Sequence, residues 1–344
     1  MSDRYTPLRW GILGAGSIAN RFTESIALLS DQKVTAVGSR GAEKAAEFAN
    51  KHGIKNRHAS YEALCNDPEV DAIYVATPHT LHKEHSILAL KSGKHVLCEK
   101  PFTINRAEAE AVVAVAKETG LFLMEGMWSR FFPVWNKVRS LIAEGAIGKP
   151  RMLYADFGFR CGASPSNVGE DGLLVGLNPQ ARLFNPELGG GAIMDVGIYT
   201  VSLAQMLLGD PDQVACVGTI GHTGVDENAG MLLHFPSGAV AVTSTSFQIS
   251  TPQSATLIGE HGKIEVAAPW WTPRKLTLTL PGDNAEVFEF PFEGPGFQFE
   301  AIHFAERLRA GYTESNILSH SDSLAVMGAL DDLRAAIGLK YPME

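Results

Sequence analysis

A glycine-rich turn near the start of the chain is the feature that most constrains its fold. The residues Gly14-Ala15-Gly16-Ser17-Ile18-Ala19 lie between an apolar run, Leu8 to Leu13, and a helix-like stretch, Asn20 to Ser30. In a dinucleotide-binding turn the first glycine permits the bend, the second lets the backbone approach a pyrophosphate, and a small residue keeps the helix close to the strand. Glycine turns also arise for structural reasons alone, but the flanking strand and helix favour the cofactor. We therefore predict cofactor contacts at Gly14, Ala15, Gly16, Ser17 and Ile18.

The residues after the second apolar run, Val34 to Gly38, bear on the choice of cofactor. An NAD-dependent enzyme usually places Asp or Glu there, where the carboxylate holds the ribose hydroxyls. This chain has Ser39 and Arg40 instead. A hydroxyl and a cation suit a 2′-phosphate, which a carboxylate would repel. We therefore expect NADP rather than NAD. The alternative is a solvent-exposed arginine that only opens the following helix.

Length, charge and cysteine spacing exclude several classes of protein. A chain of 344 residues predicts two domains, and 38 acidic against 29 basic residues argue against a nucleic-acid partner. We find no uninterrupted apolar run of about 18 residues that would span a bilayer, and no signal-peptide pattern. The four cysteines form no C-x-x-C pair, so no metal site is expected. These features predict a soluble, cytoplasmic protein.

The first third of the chain alternates strand-like and helix-like segments. Its short apolar runs are Arg9 to Leu13, Val34 to Gly38, Ala72 to Ala76, His95 to Cys98 and Leu121 to Met124. This alternation is typical of a doubly wound parallel sheet, in which ligands bind beyond the carboxyl ends of the strands. We assign residues 1–124 to an NADP-binding Rossmann domain.

The pattern changes after residue 124. Helices are predicted at Pro133 to Glu144 and at Ala192 to Leu208, and eight segments between Arg151 and Phe290 alternate apolar and polar residues. Residues 125–344 are therefore expected to form an α+β domain, with a large, mostly antiparallel sheet packed on helices by one face. The other face is left for a partner subunit, so this domain is predicted to bind substrate and to form a homodimer or higher homo-oligomer.

Two short segments carry the side chains expected to do chemistry. Glu99-Lys100-Pro101 follows a predicted strand, so the lysine is delivered to the ligand edge of the sheet. Farther along, a glycine run at 189–191 opens a helix on which Asp195 and Tyr199 stand four residues apart, hence on one face. An acid, a phenol and a lysine are thus available to one substrate hydroxyl. Taken alone, the Glu-Lys pair also fits an exposed turn.

The order of these motifs resembles a known family, that of glucose-fructose oxidoreductase, inositol dehydrogenase and the rhizopine-catabolism protein MocA (Gfo/Idh/MocA). The resemblance covers nearly the whole chain and includes, in order, Gly14-Ala15-Gly16, Ala76-Thr77-Pro78-His79 with His82, Glu99-Lys100-Pro101, and the glycine run before Asp195 and Tyr199. The segments 124–133 and 182–188, and Tyr199 where many members carry His, resemble the branch that holds dimeric dihydrodiol dehydrogenase and NADP-dependent D-xylose dehydrogenase.

The resemblance implies a role for each matching residue. Lys100 contacts the nicotinamide ribose and the reacting hydroxyl, Tyr199 exchanges the proton, and Asp195 orients the substrate or the lysine. Which of Lys100 and Tyr199 finally holds the proton stays open. Family members usually carry Asn at the position of His79, so a surface histidine is the alternative there. The implied cofactor contacts are Ala76, Thr77, His79, His82, Glu99, Lys100 and Arg130.

Aromatic residues supply candidates for the wall of a substrate pocket. We expect Trp128, Phe157, Trp270 and Trp271 to line it, together with Arg182. Core packing is the alternative for each aromatic residue taken singly, because most aromatic side chains are buried. Trp270 and Trp271 are adjacent, so they cannot both face the core if they lie on a strand.

These features predict an NADP-dependent dehydrogenase or reductase. It would transfer a hydride between NADP and a secondary alcohol or hemiacetal carbon of a small sugar, polyol or cyclic diol. Two alternatives stay open: an inositol or other sugar dehydrogenase that uses NAD, and a non-catalytic NADP-binding regulator. The presence of Lys100, Asp195 and Tyr199 argues against the regulator.

Overall fold

The computed structural model describes residues 6–161, 169–282 and 284–344. The first five residues, for which the sequence analysis predicts no signal peptide, lie outside the described residues. The chain forms two compact units. One runs up to Trp128 and also takes in Glu293–Ser323, and the other comprises Ser129–Phe292 and Leu324–Glu344. The first unit therefore ends close to the predicted boundary at residue 124 and adds a segment that the sequence pattern assigned to residues 125–344.

A parallel sheet forms the centre of the first unit. Its strands are β1 Leu8–Leu13, β2 Gln32–Gly38, β3 Asn56–His58, β4 Ala72–Val75, β5 His95–Glu99 and β6 Leu123–Gly126. Within the described part of the chain they stand in the order β3-β2-β1-β4-β5-β6, the order of a Rossmann fold. The five predicted strands and the doubly wound fold are confirmed. The additional strand, β3, is short and polar and therefore has no apolar run that would reveal it.

The helices are α1 Ser17–Ile26, α2 Ala42–His52, α3 Tyr61–Cys65, α4 His82–Lys91, α5 Arg106–Thr119, α6 Pro133–Ala143, α7 Ile198–Leu208, α8 Gln298–Arg309 and α9 His320–Ala336. Local signals decide several of their ends. Asn105 caps α5 by accepting the backbone N–H of Glu108 at 3.0 Å, and Gly120 ends it in the left-handed conformation with φ +67°. The division between the two units falls within α9, after Ser323.

The core of the first unit explains why α8 belongs to it. Trp10 on β1 is fully buried between Phe22 of α1 and Phe304 of α8, with ring centroids 5.3 and 4.7 Å away. Its indole N–H donates to the side chain of Gln32 at 2.8 Å, and Gln32 donates in turn to the backbone oxygen of Ala301 at 3.0 Å. A large aromatic residue and a satisfied buried amide therefore bind a distant helix to the parallel sheet.

The second unit contains the other sheet. Its strands are β7 Pro150–Gly158, β8 Gln213–Ile220, β9 Asp226–His234, β10 Val240–Ser246, β11 Ala255–Gly259, β12 Gly262–Val266, β13 Lys275–Leu280 and β14 Asn284–Glu289. Among the described residues they are ordered β14-β13-β12-β11-β7-β10-β9-β8. Neighbouring strands are antiparallel, except that β7 and β10 run parallel. The predicted mostly antiparallel sheet is confirmed.

The two faces of this sheet differ in their surroundings. Alternate residues of β7 and β9 are buried on the face that packs on α7, as the period-two pattern predicts. On the other face Tyr154, Val217 and Leu232 are exposed, Val217 to 83%. Within the described residues one helical stretch, Pro186–Leu208, is long and apolar enough to cross a membrane, and most of it is buried inside the protein.

Candidate functional site

The glycine turn lies at the carboxyl edge of the parallel sheet. Gly14 follows β1 with φ +107°, a conformation that side chains other than glycine rarely adopt. A Cβ atom at Gly14 would also lie 2.8 Å from the backbone oxygen of Ala76, which follows β4. The amide of Gly14 donates to the oxygen of Gly38 at the end of β2. The sequence motif therefore brings the ends of three strands together at one edge.

The space in front of α1 fits a pyrophosphate. A Cβ atom at Gly16 would meet nothing within 4 Å, and no side chain caps the helix that starts at Ser17. The first amides of α1 are therefore free of a side-chain cap, and the helix dipole favours an anion there. Ala19 is fully buried, so the helix packs closely on the sheet. Ala15 and Ile18 flank this opening and are half-buried.

The predicted cofactor-selecting residues follow β2 at the same edge. Ser39 is buried, and its amide donates to the oxygen of His58 at 3.2 Å. Arg40 is exposed, and its guanidinium interacts with the hydroxyl of Tyr61. An exposed guanidinium partly held by a phenol is available to a phosphate. Among these residues there is no carboxylate that would repel one.

The loops after β4 and β5 are joined by a buried histidine. The two ring nitrogens of His82 lie 2.9 Å from the oxygen of Thr77 and 2.8 Å from that of Pro101. Complete burial lowers the pKa of His82 to about 4, so its neutral ring donates to one of the two carbonyls. His79 is also buried, with its ring 5.7 Å from that of His82, so the surface alternative for His79 is wrong.

Lys100 stands on a turn built around a buried carboxylate. Glu99 at the end of β5 accepts a hydrogen bond from the hydroxyl of Tyr74, and its other oxygen accepts the amide of Lys100 at 3.2 Å. The peptide bond between Lys100 and Pro101 is cis. Burial and the charge of Glu99 raise the pKa of Glu300 on α8 well above its usual range. The hydrogen bond from the amide of Lys100 to the carboxylate of Glu99 therefore fixes the start of the lysine turn.

In the second unit the glycine run leads into a π-helical turn, Ile193–Gly197, which continues as α7. Asp195 and Tyr199 project from these first turns, and each is 6% exposed. Arg182, which the sequence analysis placed only in the pocket wall, donates to Asp195 at 2.9 Å. Its side chain is 43% exposed. Asp195 is thus half of an ion pair that remains open to solvent on the arginine side.

A cluster of aromatic rings reaches the ring of Tyr199 through Phe157. Phe157 on β7 lies 5.3 Å from Tyr199 and stacks on Trp271 at 5.0 Å with an interplanar angle of 3°. Phe159 and Phe247 extend the cluster. The ring centroids of Phe157 and Phe159 are 6.5 Å apart, and those of Phe159 and Phe247 are 5.4 Å apart. Phe157 and Trp271, both expected in the wall of a substrate pocket, therefore lie in one cluster with Tyr199, and their contact with substrate stays a prediction. Phe247 carries no sequence signal beyond its place in an alternating strand.

Two protein-family models match successive segments of the chain. Residues 8–127 match the model of an oxidoreductase family with an NAD-binding Rossmann fold, GFO_IDH_MocA, and residues 135–265 match the GFO/IDH/MocA C-terminal domain. The chain belongs to the Gfo/Idh/MocA oxidoreductase family. The predicted membership is confirmed.

Relatives and solved structures align over nearly the whole chain. A trans-1,2-dihydrobenzene-1,2-diol dehydrogenase from Mus musculus is 36% identical over 351 residues, covering 98% of this chain and 99% of the relative. A 3-ketoreductase from Actinomadura kijaniata, solved with NADP and TDP-benzene, superposes with a TM-score of 0.81 at 29% identity, covering 96% of this chain and 98% of the other. An aldose-aldose oxidoreductase from Caulobacter crescentus, solved with glycerol, gives 0.83 at 27% identity over 96% and 97% of the two chains.

Three residues predicted at the site of this Gfo/Idh/MocA protein lie in packed surroundings. Arg130 is buried and donates to the side chain and oxygen of Ser202 and to Gln205, all at 2.7 Å, so it anchors α7. Trp128 is buried and stacks on Phe297 at 4.2 Å. Trp270 is 1% exposed and donates to the oxygen of Asp156 at 2.7 Å. Their cofactor and substrate contacts stay predictions, while their packing roles are visible.

The two adjacent tryptophans differ, as expected, but not because of a strand. Trp270 and Trp271 lie in a turn between β12 and β13, where Trp270 enters the core against Trp135 and Trp271 remains half-buried. Among the residues that the structure describes, no group of three or more His, Cys, Asp or Glu side chains is arranged to hold a metal ion. A metal-free site stays a prediction.

Proposed function

We propose that this protein is an NADP-dependent dehydrogenase or reductase of CH–OH groups in small sugars, polyols or cyclic diols. The observation that carries the proposal is the position of Lys100, which follows β5 at the edge where Gly14 and Arg40 follow β1 and β2. A cation, an open helix start and a phosphate-compatible arginine at one edge of a sheet suit nucleotide-dependent hydride transfer. The names of the relatives, a dihydrodiol dehydrogenase and sugar oxidoreductases, support the substrate class.

The nucleotide is assigned to residues 1–124 and the substrate to residues 125–344. Gly14, Gly16 and the first turn of α1 would hold the pyrophosphate, because the open space before α1 is bordered by uncapped amides. Arg40 would bind the 2′-phosphate, with Ser39 behind it. Thr77, His79 and the Lys100 turn border the same edge. The structure of an NADP-bound relative supports this preference over NAD.

Each polar side chain then has a task in the reaction. When bound, NADP accepts or supplies the hydride. We assign Lys100 to the nicotinamide ribose and the reacting oxygen, and Tyr199 to exchange of the hydroxyl proton. Asp195 accepts a hydrogen bond from Arg182 at 2.9 Å. Asp195 would therefore orient the substrate in two ways, by direct contact and by fixing the exposed guanidinium of Arg182. Arg182 presents several N–H groups in a fixed fork, which suits vicinal hydroxyls.

The aromatic cluster limits the form of the substrate. Phe157 and Trp271 offer stacked, apolar surface next to Tyr199. A flat or ring-shaped substrate can cover this surface while its hydroxyls face the ion pair of Arg182 with Asp195. A cyclic diol or a pyranose therefore fits better than a linear polyol.

We also propose a cytoplasmic homodimer with no nucleic-acid or membrane partner. The face of the large sheet that carries Tyr154, Val217 and Leu232 is exposed and partly apolar. Pairing this face with the same face of a second copy would remove apolar area from water at about 25 cal/mol per Å². The net charge of −9 gives no support to binding of a phosphate backbone.

One experiment tests the proposed function directly. A panel of aldoses, polyols and trans-dihydrodiols is screened for NADP reduction by absorbance, first with the wild type and then with Lys100→Met and Tyr199→Phe. Each substitution should lower kcat by roughly 10²–10⁴-fold while NADPH binding is retained. Tyr312→Phe, at a tyrosine that is 51% exposed, is the matched control and should not change kcat. Wild-type kcat in both variants on a confirmed substrate would contradict the assigned roles.

A further inference from the structure

A buried carboxylate from β9 meets the start of the segment that carries Asp195 and Tyr199. Asp226 is the first residue of β9 and is completely buried. Its Oδ2 accepts the backbone N–H of Ile193 at 2.7 Å. Ile193 is the first residue of the π-helical turn, so this contact lies at the point where the helix begins. An acceptor at that point satisfies an amide that has no partner within the helix.

The glycine run is shaped to admit this carboxylate. Gly191 has φ +115°, and a Cβ atom built on it would lie 2.2 Å from Oδ1 of Asp226. A side chain at Gly191 would therefore expel the carboxylate. Oδ1 is buried and has no hydrogen-bond partner among the described residues. The sequence explains the glycines only as the opening of a helix, whereas the structure assigns the third one to contact with Asp226.

Two further side chains hold the same turn. The hydroxyl of Tyr341 donates to the oxygen of Gly190 at 2.5 Å, and the hydroxyl of Thr245 lies 3.3 Å from the oxygen of Ala192. Tyr341 is 1% exposed and Thr245 is fully buried. The backbone from Gly190 to Ile193 is thus fixed by side chains from β9, β10 and the C-terminal segment. Asp195 and Tyr199 follow within the next six positions, so their directions depend on this turn.

We propose that Asp226 is a positioning residue for proton transfer, acting through Ile193 and Gly191 on the segment that presents Asp195 and Tyr199. The inference rests on the proposed function and deepens it. Misplacing a reacting group by about 1 Å can cost roughly 10²-fold in rate, so a contact that acts only on geometry can be large. Asp226 touches neither substrate nor cofactor in this assignment.

The effect of Asp226 depends on pH because its own carboxyl titrates, and other titratable groups face it. Arg334 faces it from α9, Tyr341 from the C-terminal segment and Cys216 from β8. The guanidinium of Arg334 is shared with Asp331 and Glu344 in ion pairs of 2.7 Å. Burial raises the pKa of Asp226 to about 7, so its charge changes in the range where the enzyme is assayed.

The test compares Asp226→Ala, Asp226→Asn and Tyr341→Phe with Asp212→Asn, an exposed aspartate, as control. We measure kcat and KM on a confirmed substrate between pH 5.5 and 9, NADPH Kd, and hydrogen exchange of residues 189–208. Asp226→Ala should lower kcat by roughly 10²-fold and leave KM and Kd near wild-type values. Asp226→Asn retains an oxygen for Ile193, so it should restore most of kcat and remove the pH dependence near 7. Exchange should rise only in 189–208, in Asp226→Ala and more weakly in Tyr341→Phe.

Wild-type kcat and unchanged exchange in Asp226→Ala would overturn the proposal. A uniform rise in hydrogen exchange in Asp226→Ala, with equal losses in kcat and NADPH binding that Asp226→Asn does not restore, would also overturn it. That pattern would indicate general destabilisation of the protein. If Asp226→Ala fails to fold, the pH profile of Asp226→Asn and the local exchange in Tyr341→Phe decide. If the wild type turns over none of the panel, the proposed function fails. Hydrogen exchange then still reports whether Asp226 fixes residues 189–208.

Discussion

The free energy of unfolding of Asp226→Asn minus that of the wild type should increase from acidic to alkaline pH. The carboxyl is completely buried, and burial raises its pKa from 3.8 to about 7. In the unfolded chain the same group loses its proton near its ordinary value. Between these two values the folded state retains a proton that the unfolded state has released. The contribution of Asp226 to stability is therefore fully present below about pH 4 and is lost as the pH rises through about 7.

The size of the effect follows from the two pKa values. A difference of about 3 at about 1.4 kcal/mol each gives roughly 4 kcal/mol across the whole range. The part between pH 5 and pH 7 amounts to about 2 kcal/mol. An amide at position 226 does not titrate, keeps an oxygen for the amide of Ile193 and has nearly the same volume. The free energy of unfolding of Asp226→Asn minus that of the wild type should therefore grow by about 3 kcal/mol from pH 5 to pH 8.

Urea unfolding followed by tryptophan fluorescence at pH 5, 6, 7 and 8 measures this difference. Asp212→Asn serves as the control, because Asp212 is an exposed aspartate whose ion pair with His234 lies at the surface. Its difference from the wild type should stay small at every pH. A gap between Asp226→Asn and the wild type that stays constant from pH 5 to pH 8 would refute the reasoning. That result would mean that the buried carboxyl does not hold its proton to neutral pH.

Three further outcomes follow from the site and the sheets. Arg40→Asp should weaken NADPH binding by about 2 kcal/mol and reverse or erase its preference over NADH, measured by titration calorimetry; equal affinities in the wild type would contradict the role of Arg40. In steady-state kinetics, Trp271→Ala should raise KM for ring-shaped substrates by the equivalent of about 1 kcal/mol, with little change in kcat. In urea unfolding, Trp270→Ala should lower the free energy of unfolding by about 3–5 kcal/mol. Val217→Lys with Leu232→Glu should give a monomer by light scattering, and a wild type that is already monomeric at micromolar concentration removes the proposed dimer.

The features that could be predicted are those written in a few neighbouring residues. The turn at Gly14 needs glycine because of its own φ of +107°, and α5 begins and ends at Asn105 and Gly120 because a cap and a left-handed residue act within one helical turn. Period-two alternation likewise located the strands of the large sheet, since each strand buries one face. The family motifs added roles for Lys100 and Tyr199 that no single segment carries.

The site was only partly predictable, because several of its contacts join residues that are far apart in the chain. Asp195 was expected to orient substrate or lysine, and the structure pairs it with Arg182 at 2.9 Å. His82 matched a cofactor motif, and the structure places it between two backbone carbonyls. Both residue types suit either role, so only their neighbours decide which one they have.

The sequence by itself determined the parallel and antiparallel sheets, the nucleotide turn and the family, because propensity, periodicity and turn chemistry act over short spans of chain. Only the tertiary structure decided that α8 packs on Trp10, and that Asp226 and Tyr341, 33 and 151 residues from their partners Ile193 and Gly190, hold the glycine run. No local pattern encodes such pairs. A buried carboxylate or phenol finds its partner when the core closes around it, and the cost of leaving it unbonded then selects the arrangement.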